Sequence, residues 1–194
     1  NELEPQFDFF GTSVYAPFGI AAGPLPTARH VQAALHKGFD IVTFKSVRTG
    51  SYPCHAYPNI IPVELDRLDS MSTDSPVVTK KNFDSPLSRS NSFGIPSRSP
   101  AFWQSQIKRS LASIGRGQTL LAAFQGTDRG KGRAAFIADH VRGVKQLANC
   151  GARVIEINLS CPNEGNSRLL CFDSSTTRAI LEAVRTEVPD ISLL

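Results

Sequence analysis

The chain has 194 residues, of which 41% are hydrophobic and 20% are charged, a composition typical of globular proteins and unlike that of disordered or fibrous chains. The formal net charge is +4, but the densest basic cluster is only Arg129, Lys131 and Arg133, which is too small to indicate nucleic-acid binding. No apolar run approaches the ~20 residues that span a bilayer. We therefore expect a cytoplasmic protein with a single domain over residues 1–194 and neither a nucleic-acid nor a membrane partner.

The cysteines and histidines show no spacing typical of a metal site or of a disulfide framework. They are Cys54, Cys150, Cys161 and Cys171, with His30, His36, His55 and His140. Packing in the core or at the surface is the expected role of each histidine, and no metal is predicted.

Short apolar runs alternate with amphipathic stretches along most of the chain. The apolar runs predict strands buried on both faces at 18–24, 41–47, 120–126 and 154–160, with a further strand from Ile191. The amphipathic stretches predict helices from Thr27 to about Lys37, from Ser99 to Gly115, over 134–150, and from a cap at Ser174 or Ser175 to Pro189. Leu181 is expected on the core face of the last helix.

The segment from about 48 to 98 interrupts this alternation. It is rich in Pro, Ser, Asp and Asn and has no sustained period of either kind, so it predicts a long excursion with room for a hairpin. Ordered loops of this length inside compact domains are usually functional.

Strands followed by helices imply right-handed crossovers and a parallel sheet, so the fold class is α/β. Two architectures remain open on this pattern, a closed (β/α)8 barrel and an open doubly wound sheet. The nucleotide fingerprint of the open sheet is absent, because Gly115-Arg116-Gly117 lacks a third glycine and follows a helix. A P-loop is also excluded, since 126–132 is too short and has no Ser or Thr after its lysine. A barrel has ~250 residues, of which this chain would supply half.

Polar side chains collect where the predicted strand 154–160 ends. Asn158, Cys161 and Asn163 place two amides and a thiol there, and ligands bind at that end of barrel strands. A buried amide is costly without partners, which favours a ligand with several polar edges. The alternative is a turn in which both asparagines cap backbone groups and Cys161 is a small buried hydrophobe. The residues alone leave both interpretations open.

The segment Asn158-Leu159-Ser160-Cys161-Pro162-Asn163 is similar to the catalytic strand and loop of the dihydroorotate dehydrogenase family. Three further segments resemble that family in the same order. Gly19-Ile20-Ala21-Ala22-Gly23 resembles its first strand, whose backbone lies against the flavin, and Phe44-Lys45-Ser46 resembles its lysine motif. Asn91-Ser92-Phe93-Gly94-Ile95-Pro96 resembles its substrate loop. The resemblance implies the N-terminal half of a flavin-dependent (β/α)8 TIM barrel, with the substrate loop in the excursion.

The resemblance also implies a reaction, the FMN-dependent oxidation of dihydroorotate to orotate in pyrimidine biosynthesis. Hydride would pass to flavin N5 and a proton to Cys161, since a thiol ionises close enough to neutrality to exchange protons. Lys45 matches the lysine that contacts both flavin and anionic substrate, where it would stabilise charge on the ring. The alternative for Lys45 is a side chain that extends to water at the end of its strand.

The residues of the predicted site follow from the same matches. Substrate-binding residues are Lys45, Asn91, Phe93, Gly94, Ile95, Asn158 and Asn163. Cofactor-binding residues are Ala21, Ala22, Gly23, Lys45, Ser46 and Asn158. Gly94 also has a plain turn interpretation.

Cysteine at the base position resembles the soluble classes of the family, whereas the membrane-associated class carries serine there. The expected electron acceptor is therefore fumarate, NAD through a partner subunit, or another soluble acceptor, in a protein compatible with a homodimer. Tyr52 and Asn59 stand where relatives usually place basic residues, and Ser97 stands where soluble relatives often carry Asn. These departures leave two alternatives, an enzyme like the dihydropyrimidine dehydrogenases and a flavin-barrel protein without turnover. Because other flavin contacts of the family lie beyond Leu194, we expect the 194-residue chain alone to be inactive.

Overall fold

A computed structural model describes residues 4–64, 78–85, 87–162 and 169–194. Its strands are β1 (Phe7–Phe9), β2 (Thr12–Val14), β3 (Gly19–Ile20), β4 (Ile41–Val47), β5 (Ile60–Glu64), β6 (Val78–Thr79), β7 (Arg89–Asn91), β8 (Thr119–Phe124), β9 (Val154–Ile157) and β10 (Ser192–Leu193). Its α-helices are α1 (Ala28–His36), α2 (Pro100–Leu111), α3 (Arg133–Ala148) and α4 (Ser174–Glu187), and a 3₁₀ helix spans Leu170–Phe172.

Five parallel strands form the central sheet in the order β10-β9-β8-β4-β3. Each strand therefore lies beside the one that precedes it in the sheet, and the order never reverses as it does in doubly wound sheets. A helix follows each of the strands β3, β4, β8 and β9. The fold is α/β, as predicted. Within the described residues the sheet does not close into a barrel, because β3 and β10 form two separate edges.

The core lies between this sheet and the apolar faces of the helices. All six residues of β8 are buried, and they pack in one cluster with Val31 of α1, Trp103 of α2 and Ile180 of α4. Burying such a side chain stabilises the fold by about 1.5–3 kcal/mol. The predicted strand 41–47 matches β4 residue for residue.

Two predicted strands are shorter in the structure. β3 is limited to Gly19–Ile20 and is partly exposed at the sheet edge, so its predicted burial on both faces is wrong. A Cβ on Gly19 would lie 2.2 Å from the Ile41 carbonyl oxygen, so only glycine permits this approach. β9 ends at Ile157, because Asn158 Oδ1 accepts the Ser160 N–H at 3.0 Å and begins a turn.

The predicted cap and inner face of α4 need correction. Asp173, not Ser174 or Ser175, is the N-cap, since its carboxylate accepts the Thr176 N–H at 3.0 Å. That bond, with hydroxyl bonds from Thr176 and Ser175, lowers the pKa of Asp173 to about 2. Leu181 is 37% exposed instead of facing the core. Its predecessor Ile180 is buried on the face that packs inward.

The excursion contains more regular structure than predicted. β5 pairs with β6 and with β7, so a three-stranded antiparallel sheet stands in place of a single hairpin. The antiparallel pair β1 and β2 was not predicted either. Among the described helices, none is long and apolar enough to cross a membrane.

Candidate functional site

The carboxyl end of β4 carries a β-bulge that sets the position of Lys45. Phe44 lies opposite Ala122 and Val47 opposite Phe124, so β4 uses three residue steps where β8 uses two. Bulges often re-aim side chains beside active sites. The Lys45 N–H donates to the Leu25 carbonyl at 3.1 Å, which ties the bulge to the segment that follows β3.

A cleft of about 250 Å³ opens at this end of the sheet, and we call it the strand-end cleft. Four separate parts of the chain line it, namely the residues after β3, the bulge of β4, the end of β9 and the loop after β7. The lining residues are Ala21, Ala22, Gly23, Lys45, Ser46, Ile95, Glu156 and Asn158. All of them except Glu156 belong to the predicted substrate or cofactor sites.

Electrostatics connect Lys45 to both thiols on this side of the molecule. Burial lowers the pKa of the Lys45 ammonium group, and the positive charge of Arg48 lowers it further. Cys54 and Cys161 act in the opposite direction and favour the charged amine. Lys45 therefore lies within electrostatic reach of the predicted base, Cys161. The half-buried position of Lys45 contrasts with a side chain that extends fully into water.

Glu156 is the lining residue that the sequence analysis missed. Burial raises the pKa of its carboxyl group. Its place inside a predicted strand gave no sign that the side chain faces a cleft, because strand periodicity does not say which face holds a ligand.

A second cleft of about 810 Å³ meets the strand-end cleft at Asn158, which lines both. Half-buried Cys161 lines the larger cleft together with Gln125 and Arg133. Gln125 is buried, and its Oε1 has no hydrogen-bond partner among the described residues. Asn158 Oδ1 is engaged in the turn at Ser160, as the capping alternative expected, while its Nδ2 meets no acceptor in the part of the chain that the structure describes.

The predicted substrate loop has an unusual backbone at Gly94 and Ile95. Their φ angles are +74° and +49°, and the left-handed region is rare for a β-branched residue and often marks functional sites. His55 lies against this loop, because its N–H donates to the Phe93 carbonyl at 3.2 Å and its Nδ1 lies 3.0 Å from Ser92 Oγ. A Cβ on Gly94 would lie 2.2 Å from His55 Nε2, so the plain turn interpretation of Gly94 leaves out this contact.

Three predicted residues lie elsewhere. Asn91 is exposed on β7 and Phe93 is 40% exposed, and neither lines the two clefts. Asn163 lies outside the described residues. Arg48 and His55, which contact the substrate loop, were not predicted. The available sign was a basic residue directly after a buried strand for Arg48, and nothing comparable marks His55.

The histidines and cysteines otherwise have ordinary surroundings. His140 is fully buried beside Phe124 and Phe136, and burial lowers its pKa. All four cysteines belong to the described residues and are free thiols. Within the described ranges, no group of three or more His, Cys, Asp or Glu side chains could hold a metal ion.

Comparison with known proteins yields one family. The family model described as "Dihydroorotate dehydrogenase" matches residues 6–193. A curated protein of Dictyostelium discoideum named "Dihydroorotate dehydrogenase" is 32% identical over 163 residues, which cover 80% of this chain and 44% of that protein. The chain thus spans less than half the length of this relative.

Proposed function

The chain belongs to the dihydroorotate dehydrogenase family, and from that premise we propose that it is part of an FMN-dependent oxidoreductase that converts dihydroorotate to orotate in pyrimidine biosynthesis. One observation carries the proposal. Seven residues predicted from four separate motifs converge on the strand-end cleft, and Asn158 joins that cleft to the one that contains Cys161.

We further propose that the parallel sheet is the first half of a (β/α)8 barrel, formed by a single domain over 1–194 with its substrate loop in the excursion. The sequential strand order supports this architecture, because neighbouring strands of a barrel follow one another along the chain. The cleft also lies at the carboxyl ends of β4 and β9, where barrel enzymes bind their ligands.

The lining of the strand-end cleft fits the ring system of FMN. Ala21, Ala22 and Gly23 present nothing larger than a methyl group, which leaves room for a planar ring to lie on the backbone. Lys45, Ser46 and Asn158 supply polar groups at the edge of the same cleft. The unpartnered Oε1 of Gln125 is a further buried acceptor beside Asn158. When bound, FMN supplies the hydride acceptor that no side chain can provide.

In this proposal the chain supplies orientation, charge and a base. Cys161 takes the proton from one ring carbon of the substrate while hydride leaves the neighbouring carbon. Lys45 stabilises negative charge on the substrate, since a cation in a partly desolvated site acts more strongly than in water. The N–H groups of Gly94 and Ile95 have no acceptor among the described residues, so they can donate to the substrate, as can the amides of Asn91, Asn158 and Asn163. Phe93 covers the loop.

The base residue also bears on the class of enzyme. Because cysteine stands at position 161, we propose a cytoplasmic member of the soluble classes, reoxidised by fumarate, by NAD through a partner subunit, or by another acceptor. A homodimer is compatible with these classes.

A second candidate is an enzyme that acts on an uncharged dihydropyrimidine. Tyr52 and Asn59 stand where relatives carry basic residues, and both are engaged within the protein. Tyr52 lies under the Arg48 guanidinium at 4.0 Å, and Asn59 Nδ2 donates to the His55 carbonyl at 2.8 Å. Neither side chain offers a positive charge to a substrate carboxylate.

Anaerobic titration of the flavin-loaded, full-length gene product separates these candidates. Dihydroorotate should bleach the visible flavin band, and dihydrouracil at the same concentration should not. Bleaching by dihydrouracil alone would replace the proposed substrate with the second candidate. Bound flavin that neither compound bleaches would indicate a binding protein without turnover, and a protein that binds no flavin would refute the whole proposal.

A further inference from the structure

We propose that Arg48 is a positioning residue that holds the substrate loop against the strand-end cleft, an inference that rests on the proposed function. Arg48 follows β4 directly, three residues after Lys45, and its side chain is completely buried. Buried arginines are uncommon, so the contacts of this one define its role.

One guanidinium group bonds to two parts of the chain that are far apart in sequence. Its Nε donates to the Ile95 carbonyl at 3.0 Å, and its Nη2 donates to the Gly94 carbonyl at 3.0 Å. Its Nη1 donates to the Gly126 carbonyl at 3.0 Å and to Thr127 Oγ1 at 3.1 Å. Arg48 therefore joins the substrate loop to the segment that follows β8. The planar fork of donors in arginine suits several acceptors at fixed positions, which a lysine cannot match.

The backbone of Arg48 is held as firmly as its side chain. Its N–H donates to Ser97 Oγ at 3.1 Å, and its carbonyl accepts the Nε1–H of buried Trp103 at 3.1 Å. The guanidinium lies over the Tyr52 ring, 4.0 Å from its centroid. The group that binds the loop is thus anchored to β4, to α2 and to the start of the excursion, so it provides a fixed reference point.

Arg48 also accounts for the strained backbone of the loop. Gly94 and Ile95 are consecutive left-handed residues, and both of their carbonyl groups accept from the same guanidinium. Such a conformation persists only when its surroundings stabilise it. Because both carbonyls are engaged, the two unpartnered N–H groups of these residues have fixed positions. Ile95 itself lines the strand-end cleft, so a displaced loop changes the cleft.

The charge of Arg48 adds a second effect at the same place. It lies close enough to Lys45 to lower the pKa of that amine. Two cations at one end of the cleft suit an anionic substrate, and Arg48 acts on the substrate through Lys45 and the loop without contact.

The test compares Arg48→Lys and Arg48→Met with Arg109→Met in the flavin-loaded, full-length gene product. Arg109 is a solvent-exposed arginine on α2 and serves as the matched control. We expect Arg48→Met to raise the KM for dihydroorotate by about 100-fold, the cost of a displacement near 1 Å, with flavin still bound. Arg48→Lys, which keeps the charge but not the fork, should recover less than half of that change on a logarithmic scale. Arg109→Met should match the wild type.

Two results would overturn the inference. One is a KM in Arg48→Lys equal to that of the wild type, which stays decisive even if Arg48→Met does not fold. The other is an unchanged KM with a lowered kcat, since this would place Arg48 outside substrate positioning. A wild-type protein that binds no flavin would instead refute the proposed function, and with it this inference, before any variant is measured.

Discussion

Replacing Gly94 with alanine combines two penalties whose sizes follow from the geometry of the substrate loop. A φ of +74° costs an L-residue about 1–2 kcal/mol. The new Cβ would lie 2.2 Å from His55 Nε2, so the imidazole must move by about 1 Å or more to reach an ordinary contact distance. That movement sacrifices the 3.0 Å contact between His55 Nδ1 and Ser92 Oγ, which adds about 0.5–1.5 kcal/mol.

The expected total is a loss of about 2–3 kcal/mol in the free energy of unfolding. For a domain of this size the loss corresponds to a Tm lower by about 4–12 °C in thermal unfolding followed by circular dichroism. The same displacement of the loop should raise the KM for dihydroorotate in the flavin-loaded protein.

Gly130→Ala is the matched control, because Gly130 has a similar φ of +69° but nothing within 4 Å of its added Cβ. It should cost only the backbone part, about 1–2 kcal/mol. In a His55→Ala background, Gly94→Ala should likewise cost only that part, since the clashing ring is gone. Equal losses for Gly94→Ala and Gly130→Ala, with no relief from His55→Ala, would refute the steric reasoning.

Three further predictions concern the titratable groups of the site. Cys161→Ser should keep bound flavin and slow its reduction by dihydroorotate about 10²–10⁴-fold in stopped-flow absorbance, whereas exposed Cys171→Ser should change nothing. Because the pKa of Lys45 is lowered, tight dihydroorotate binding should be lost as pH rises through that lowered value, and Lys45→Arg should extend binding to higher pH in flavin-monitored titrations. Because burial raises the pKa of Glu156, its ionised form destabilises the fold, so Glu156→Gln should raise the Tm at neutral pH. That advantage should vanish below pH 4.5, where the carboxyl is protonated both folded and unfolded.

The buried parallel strands were predictable because burial on both faces requires long apolar runs. β4 coincides with its predicted range, and β8 begins one residue before its own. The stops at Gly38 and Gly151 were also predicted correctly, with φ angles of +88° and +98°. In each case a local requirement of the chain selects the residue type, so the sequence carries the information directly.

Features that depend on distant partners were not predictable from local patterns. The contacts of Arg48 join residues 46 to 79 positions apart in sequence, and no periodicity marks such a contact. The N-cap at Asp173 was missed because Ser174 and Ser175 beside it are equally good capping residues. The antiparallel pairing of β5 with β6 and β7 depends on residues separated by the irregular excursion.

The same difference applies to the candidate site. The motifs around Lys45 and Asn158 were recognisable by resemblance, and the structure brings both residues to one cleft. The position of Glu156 in that cleft depends on the direction of a side chain at the end of β9, which neither motif nor pattern specifies.

The central claim is that the strand-end cleft holds the flavin and that Cys161 lies beside the substrate. An experimental structure of the full-length gene product, determined with FMN and orotate present, tests this claim most directly. We predict density for a flavin ring against Ala21, Ala22 and Gly23, in contact with Lys45, and orotate between the ring and Cys161. Flavin density at another place in the molecule, or orotate bound away from Cys161, would contradict the assignment.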